Sequence, residues 1–256
     1  MLALLGAMKE ETTGLQKRMK VEETLTNECG YLCRGSLAGK ALVLMQTGVG
    51  KERAEAATKF VLSSFPVSAL VSIGFAGALI EESRVGDVVI CSELHYAGGL
   101  ETRPQLQLSG EPCFSDAILV SLASQSLEDA GVRFRQGNSL TVPEAILSPE
   151  TKQALGRALP VDIAEMESYW IARMARDRHI PFLAIRTVSD TAQERLSSFS
   201  PLMAVYFARQ WGRVAIYLLT HPHQWMRVFQ LSRNVRQAGR SLTTAVERFL
   251  SQMRLD

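Results

Sequence analysis

The sequence predicts an α/β protein with a central mixed, largely parallel sheet and a helical C-terminal extension. Short apolar runs of strand length recur up to residue 189, and helical patterns lie between several of them. Such alternation is typical of layered α/β domains whose strands are buried on both faces. From Pro201 onward the chain becomes rich in arginine and helical in pattern. We therefore predict one α/β domain over residues 1–200 and a basic, amphipathic helical extension over residues 201–256.

Five apolar runs are predicted to be strands, because they are rich in Val, Leu and Ile and most are bounded by Gly or Pro. They are ALLGA (3–7), ALVLMQTG (41–48), ALVSIGFAG (69–77), GDVVICSEL (86–94) and FLAIRTVS (182–189). Helical patterns predict helices at about 9–19, 51–63, 115–130 and 166–178. The stretch CGYLCRGSLAGKALVLM indicates a local hairpin, so the sheet is expected to be mixed.

The extension differs from the rest of the chain in charge. Residues 201–256 hold eight arginines, no lysine and two acids, which gives +6, whereas the first 200 residues carry about −4. The segment between Pro201 and Pro222 is helical in pattern, and Arg209 and Arg213 within it argue against a membrane span. Residues 224–253 combine an apolar stripe with a face of arginine, serine, threonine and glutamine. Such a helix either packs on the domain or lies at an anionic membrane surface.

Several common classes of site are disfavoured. The four cysteines form no CxxC pair, and the N-terminus lacks the pattern of a signal peptide, so we expect reduced thiols in a cytoplasmic protein. His221 and His223 have no further ligand nearby, which argues against zinc. The stretch TGVGKER lacks residues that a P-loop or a dinucleotide fingerprint requires. We expect no metal and no cofactor.

Acidic residues follow three predicted strands. Glu10 and Glu11 follow the first, Glu165 and Glu167 lie at the end of a strand over 161–167, and Asp190 ends the last. In an open α/β sheet, ligands bind beyond the carboxyl ends of the strands, where these residues would meet. Taken singly, each acid also fits a helix N-terminus or a cap. Three acidic strand ends favour a shared site.

These segments resemble the purine nucleoside phosphorylase and nucleosidase superfamily, most closely the methylthioadenosine/S-adenosylhomocysteine nucleosidase branch. The matching motifs are GAMKEE, TGVGKERAEAAT, GFAGALIEESRVGDVVI, AEMESYWIA and PFLAIRTVSD, which fall in order over residues 1 to about 192. The resemblance implies a three-layer α/β/α nucleoside phosphorylase-like fold. It also implies an N-glycosyl hydrolase that acts on a purine nucleoside without a cofactor, commonly as a homodimer.

The resemblance also implies roles for individual residues. Glu11 would position and deprotonate the attacking water, in surroundings anchored by Arg186. Glu167 would hold the ribose hydroxyls, Met166 would pack beneath the sugar, and Glu165 would orient that turn. The remaining candidates belong to the base or to the substrate pocket. They are Asp190, which would protonate N7 of the purine, Ser189 beside it, Ile146 and Leu147 in TVPEAIL, and Phe75, Ala76 and Gly77 in GFAGA.

The chemistry is consistent with these roles, because a purine is a poor leaving group unless an acid protonates it. Phe75 replaces a usual serine and Ile146 a usual aromatic residue, so we expect a more apolar pocket. Ser72 and Phe75 stand where the resembling phosphorylases hold phosphate, and the acids of GAMKEE would repel it, so hydrolysis is favoured over phosphorolysis. A non-catalytic binding protein and a nucleic-acid-binding protein remain as alternatives.

The extension, with HPHQWMRVFQLSRNVRQAGR, is also similar to the hopanoid-associated branch, whose members release adenine from adenosylhopane. That similarity implies a 5′-substituted adenosine with a lipid group as substrate, and peripheral contact with the inner membrane surface through 201–256. Methylthioadenosine, S-adenosylhomocysteine and futalosine-type substrates are the alternatives within the nucleosidases.

Overall fold

The computed structural model describes residues 1–98, 108–196 and 225–253, without the side chains of 225–228. The strands are β1 (Leu2–Gly6), β2 (Lys20–Asn27), β3 (Gly30–Leu37), β4 (Lys40–Gln46), β5 (Ala69–Ala78), β6 (Val88–Tyr96), β7 (Cys113–Phe114), β8 (Phe134–Thr141), β9 (Ile163–Glu165) and β10 (Phe182–Asp190). The helices are α1 (Lys9–Gln16), α2 (Lys51–Ser64), α3 (Ala117–Asp129), α4 (Pro149–Ala158), α5 (Ser168–Asp177) and α6 (Trp225–Gln252). The predicted α/β class with a mixed sheet and a helical C-terminus is confirmed.

The sheet is mixed and closes on itself over part of its width. Strands β1, β4, β5 and β10 run parallel to one another, while β2 and β3 extend the β4 edge as an antiparallel hairpin. Strand β10 pairs with β5 on one side and β6 on the other. Strands β8 and β9 lead from β6 back to the C-terminal half of β5. The ring β5–β10–β6–β8–β9 therefore surrounds a small barrel-like core.

Two adjacent loops lie at the carboxyl ends of the parallel strands. The amide of Thr47 donates to the carbonyl of Gly6 at 2.8 Å, and the amide of Gly48 to that of Ala7 at 3.0 Å, so the loops after β1 and β4 run side by side. Strand β9 runs against β5 at this end, pairing Ala164 with Gly77. Glu165 thus reaches the same region from the opposite direction, rather than as the end of a parallel strand as expected.

Helices cover both faces of the sheet. Helices α1, α3 and α6 contribute to one apolar cluster, and α2 and α5 contribute to another. The apolar face of α6 is fully buried at Ala238, Leu242, Ala245, Val246, Phe249 and Leu250. Over this part, α6 is a structural element of the domain, and its apolar face is unavailable to a membrane. No helix among the described ranges is long and apolar enough to cross a membrane.

Some elements differ from the sequence expectation. Strands β2 and β8 and helix α4 were not predicted, because β2 is exposed throughout and the other two have polar sequences. Helix α5 begins at Ser168, two residues after Met166, because Glu167 adopts the N-cap position. The helical pattern predicted between Pro201 and Pro222 lies outside the described residues.

Candidate active site

Glu11 is buried at the start of α1 and is held by two backbone amides. Its Oε2 accepts from the amide of Met8 at 2.7 Å, and its Oε1 accepts from the amide of Phe75 on β5 at 2.8 Å. The first contact is the carboxylate half of a capping box, with Met8 as the N-cap residue. The second ties α1 to the central strand. The carboxylate is therefore fixed in position where β1 and β5 end.

Arg186 on β10 gathers several polar groups in the protein interior. Its Nη2 lies 2.9 Å from Glu165 Oε2, 2.9 Å from Ser72 Oγ and 2.6 Å from Ser168 Oγ. Only 1% of Arg186 is exposed. Its Nε and Nη1 atoms have no hydrogen-bond partner in the described part of the chain. One of the three guanidinium nitrogens is thus hydrogen-bonded within the described part of the chain, and the other two are not.

Glu165 and Glu167 are separated by one residue and have different roles in the local structure. Glu165 Oε2 accepts the amides of Glu167 at 3.0 Å and Ser168 at 2.7 Å, which start α5, and its Oε1 accepts from the Thr141 hydroxyl. Glu167 Oε1 accepts the amide of Gly50 at 2.8 Å, in the loop after β4. Glu165 therefore orients the turn, while Glu167 faces the loops at the site.

Three glutamates surround a single arginine here, and their protonation differs. Burial raises the pKa of Glu11, although Arg186 and the accepted amides oppose the shift. Burial, followed by the charges of Glu165 and Glu11, raises the pKa of Glu167 to about 8. Burial would also raise the pKa of Glu165, but Arg186, the Thr141 hydroxyl and two amides outweigh it and lower that pKa. Glu165 is thus the permanent counter-charge of Arg186, and the Glu167 carboxyl is able to exchange a proton near neutral pH.

Gly74 allows Glu11 and Arg186 to approach each other. A Cβ at this position would lie 2.7 Å from Glu11 Oε1 and 2.9 Å from Arg186 Nη1. Both distances are shorter than real Cβ atoms show, so only glycine fits without a shift. The GFAG motif of β5 is therefore explained by contacts with the site.

Asp190 forms a second polar centre at the end of β10. Its Oδ1 accepts from Ser189 Oγ at 2.7 Å, and its Oδ2 is ion-paired with Lys152 Nζ. Lys152 is 1% exposed and also donates to the carbonyl of Thr191 at 3.0 Å. Gly77 gives this carboxylate room, because a Cβ there would lie 2.8 Å from Asp190 Oδ2. Asp190 is thus a buried carboxylate with a buried cation beside it.

Phe75 and Ala76 contact residues of these two centres, and the other predicted substrate-binding residues have partners of their own. Phe75 gives its amide to Glu11, while its ring belongs to the core cluster that also contains α6. Ser189 Oγ also lies 3.3 Å from the carbonyl oxygen of Ala76. Ile146 and Met166 are partly buried against the same small apolar cluster. The carbonyl of Leu147 accepts the amide of Leu196 at 2.8 Å.

Sequence reasoning named Ser72 only at the position that holds phosphate in the resembling phosphorylases, and it missed Lys152, Ser168, Thr141 and Gly50. All of these except Lys152 act through a hydroxyl or a backbone amide, which carries no sequence signal at these positions. Lys152 could have been noticed, because it shares the buried face of α4 with Leu155 at i, i+3 spacing. A lysine in an apolar stripe suggests a buried partner. In the described ranges, no group of three or more His, Cys, Asp or Glu side chains is arranged to hold a metal.

Fold and site together define a family. The chain belongs to the phosphorylase superfamily, whose family model matches residues 1–220. Its sequence is similar to that of the 5′-methylthioadenosine/S-adenosylhomocysteine nucleosidase of Tolumonas auensis, with 31% identity over 215 residues, which cover 80% of this chain and 92% of that protein. The nucleosidase of the same name from Staphylococcus aureus strain Newman is 29% identical over 201 residues, covering 75% and 87%. The expected enzyme class, an N-glycosyl hydrolase of this superfamily, is confirmed.

Solved structures share the fold. The nucleosidase from Neisseria meningitidis, in complex with methylthio-immucillin-A, superposes with a TM-score of 0.76 at 24% identity, covering 98% of this chain and 99% of that one. The futalosine hydrolase of Helicobacter pylori gives 0.77 at 17% identity, covering 98% and 97%. At these identities the similarity establishes the nucleoside phosphorylase-like fold.

Proposed function

We propose that this protein hydrolyses the N-ribosidic bond of a 5′-substituted adenosine and releases adenine. The observation that carries the proposal is the buried cluster of Glu11, Glu167 and Arg186, with the separate carboxylate of Asp190. One centre has the groups to bind a sugar and a water, and the other has the groups to bind a base. The similarity to nucleosidases supports the same assignment.

Glu11 is the proposed general base. Its carboxylate is fixed by two amides, and its raised pKa makes it a better proton acceptor than an exposed glutamate. The uncommitted Nη1 of Arg186 lies on the same side of Gly74 as Glu11 Oε1. A water between these groups would donate to Glu11 and accept from Arg186, with an oxygen lone pair left to attack C1′ of the sugar.

Glu167 is the proposed ligand of the ribose hydroxyls, and Met166 the apolar surface beneath the ring. With a pKa of about 8, the Glu167 carboxyl exists in both protonation states near neutral pH. It can therefore accept from one hydroxyl and donate to another as positive charge develops on the sugar. Asp190 would interact with N7 of the purine, with Ile146 and Leu147 beside the base.

Hydrolysis is favoured over phosphorolysis by charge. A phosphate dianion beside the sugar requires cationic donors or a group of free amides. Here Arg186 is already neutralised by Glu165, and Glu11 and Glu167 add further carboxyls to the same cluster. The amides of Met8, Phe75 and Gly50, which could otherwise bind an anion, donate to these glutamates.

For the 5′ substituent, we propose a lipid group, with adenosylhopane as the leading candidate. The support is the resemblance of the extension and an open cavity next to the loops after β1 and β4. This cavity of about 1350 Å³ is lined by Ala7, Met8, Gly48 and Val49 and by residues of α1 and α6. Methylthioadenosine, S-adenosylhomocysteine and futalosine-type nucleosides are the competing substrates.

We also propose that the mouth of this cavity faces an anionic membrane surface. Its lining contains six cations and one acid, Glu10; the cations are Lys9, Lys17, Arg18, Arg53, Arg236 and Arg240. Arg18 is paired with Glu247, while the other five have no ion pair within the described ranges. Basic residues near a surface add about 1 kcal/mol each to the attraction of anionic lipid. A cytoplasmic, homodimeric enzyme of this kind would meet a poorly soluble substrate at the inner membrane.

The decisive assay measures purine release from a panel of 5′-substituted adenosines, with and without phosphate. We expect the enzyme to form adenine and the free 5′-substituted ribose at the same rate in both buffers. Accumulation of a ribose 1-phosphate product would replace the hydrolase with a phosphorylase, and no release from any compound would reject the proposal.

Membrane contact is tested by co-sedimentation with anionic vesicles at low and high salt. Arg236→Gln/Arg240→Gln should reduce binding, whereas Arg233→Gln/Arg248→Gln should not. Both pairs lie exposed on α6 and remove the same charge, but only the first lines the cavity. If the two double variants bound anionic vesicles equally well, the cavity would not be part of the membrane contact.

A further inference from the structure

Lys152 is a buried cation placed directly against Asp190. Its Nζ contacts Asp190 Oδ2 and donates to the carbonyl of Thr191, and 1% of the residue is exposed. The other carboxylate oxygen accepts from Ser189. Both oxygens of Asp190 therefore already accept a donor from the protein. Lysine is almost never fully buried without a partner, so this placement is specific to the pair.

Another charged group near the pair is Glu194, which is partly buried. Burial and then the charge of Asp190 raise the pKa of Glu194, while Lys152 opposes that shift. The Nδ2 of Asn234 on α6 lies 3.4 Å from both oxygens of Glu194. In the described part of the chain, Lys152 is the cation that forms an ion pair with Asp190.

This arrangement bears on how the purine leaves. The proposed reaction requires a proton at N7 of the base. A carboxylate paired with an ammonium carries no proton, whereas the ammonium of Lys152 carries three. Helix α4 begins at Pro149, just after Ile146 and Leu147, so it brings Lys152 to the proposed base-binding wall. The proton-bearing member of the pair is the lysine.

We propose that Lys152 supplies the proton that Asp190 delivers to the leaving purine, an inference that rests on the proposed function. A proton moves from Lys152 Nζ to the Asp190 carboxylate, and a carboxyl proton moves to N7. The C1′–N9 bond breaks with its electron pair on the purine, and the oxygen of water bonds to C1′ as Glu11 takes the water's proton. Lys152 is left as a neutral amine. Exchange with solvent returns a proton to it and removes one from Glu11.

Two substitutions separate proton supply from simple charge pairing. Lys152→Arg keeps the positive charge and the donors, but a guanidinium is not deprotonated in proteins. Lys152→Met removes the charge, so Asp190 must obtain its proton from solvent. Lys59, which is exposed on α2, provides the matched controls Lys59→Arg and Lys59→Met.

The experiment measures kcat/KM for purine release between pH 5 and 9, with thermal unfolding of each variant. We expect Lys152→Arg to lose about 100-fold or more in kcat/KM at all pH values, and we expect the same of Asp190→Asn. Lys152→Met should retain more activity at pH 5 than at pH 8. A 4-nitrophenyl riboside with the same 5′ group, whose leaving group needs no proton, should be cleaved by all three variants.

The outcomes are distinct. Wild-type rates in Lys152→Arg, or a loss in Lys152→Met that is the same at every pH, would overturn the inference and leave an ordinary ion pair. Equal loss on the nitrophenyl riboside would also overturn it, because the defect would then not concern the leaving group. Failure of the wild type to release purine from any compound would overturn the proposed function, and this inference with it.

Discussion

Arg186 Nη2 and Glu165 Oε2 lie 2.9 Å apart, with side-chain exposures of 2% and 1%. A buried ion pair is costly to desolvate and is retained only when hydrogen bonds satisfy its remaining atoms. Glu165 meets this condition, because Thr141, Glu167 and Ser168 all donate to it. Arg186 meets this condition only at Nη2, because its Nε and Nη1 have no hydrogen-bond partner in the described part of the chain. The pair therefore holds a positive charge in place for Glu11 and Glu167.

Glu165→Gln should destabilise the protein by about 3 kcal/mol, the lower end for a broken buried pair, because the other two glutamates partly compensate Arg186. It should also lower the pKa of Glu11 and Glu167, since both would then face a less neutralised cation. Urea unfolding measures the first effect. The control is Glu150→Gln, which breaks an exposed pair with Arg195 and should change stability far less, because solvent screens that pair. Equal losses in the two variants would show that burial does not strengthen the Arg186 pair.

Glu11→Gln should reduce kcat about 100- to 10,000-fold, because an amide cannot take the proton of the attacking water. One of the two accepted amides, from Met8 or Phe75, would also face an NH₂ group, so a modest fall in melting temperature is expected. Glu22→Gln is the control, since Glu22 is exposed on β2 and does not line the cavity. Near wild-type turnover by Glu11→Gln would remove Glu11 from the proposed mechanism.

The raised pKa of Glu167 predicts a pH dependence of stability. An acid whose pKa is higher in the folded state binds more protons there, so the free energy of unfolding falls as pH rises between the two pKa values. For Glu167 this interval runs from about 4.5 to about 8. Glu167→Gln is neutral throughout and should therefore gain stability relative to the wild type as pH rises from 5 to 8.5. Each pKa unit is worth about 1.4 kcal/mol.

Chemical denaturation at several pH values measures this difference, with the exposed Glu82→Gln as control. The stability difference between Glu82→Gln and the wild type should change little over the same range. A wild-type minus Glu167→Gln difference that is independent of pH would show that Glu167 titrates as an ordinary exposed carboxyl.

The strands around the site could be predicted from sequence, because strands buried on both faces are almost continuously apolar, as in ALVSIGFAG and FLAIRTVS. The acidic residues of the site could be predicted because each lies within or just after an apolar strand segment. Strand β8 and helix α4 could not be predicted from sequence. Many of their residues are partly exposed, so polar side chains are tolerated there and no apolar pattern marks the element. The Lys152 contact joins residues 38 positions apart and depends on the register of α4, which composition does not encode.

Glu11 and Arg186 both approach the backbone at Gly74 closely, so substitution of this glycine tests the proposed water position. An Ala side chain there would place its Cβ 2.7 Å from Glu11 Oε1 and 2.9 Å from Arg186 Nη1, so one of these groups must move. The amide of Phe75, the residue after Gly74 on β5, donates to the Glu11 carboxylate. A shift of β5 or of this carboxylate would therefore disturb the proposed water position. A displacement of about 1 Å can lower a rate about 100-fold.

Gly74→Ala should therefore lose kcat more strongly than stability, and it should shift the pH dependence of the reaction, since Glu11 and Arg186 would be separated. Gly35→Ala in the β2–β3 hairpin is the control. Its Cβ would lie 2.1 Å from the carbonyl of Lys20, so this variant should lose stability while the folded protein keeps its kcat. Steady-state kinetics and thermal unfolding of both variants decide the matter. If Gly74→Ala kept full activity, then the separation of Glu11 and Arg186 would not matter to the reaction, and the water between them could not be the nucleophile.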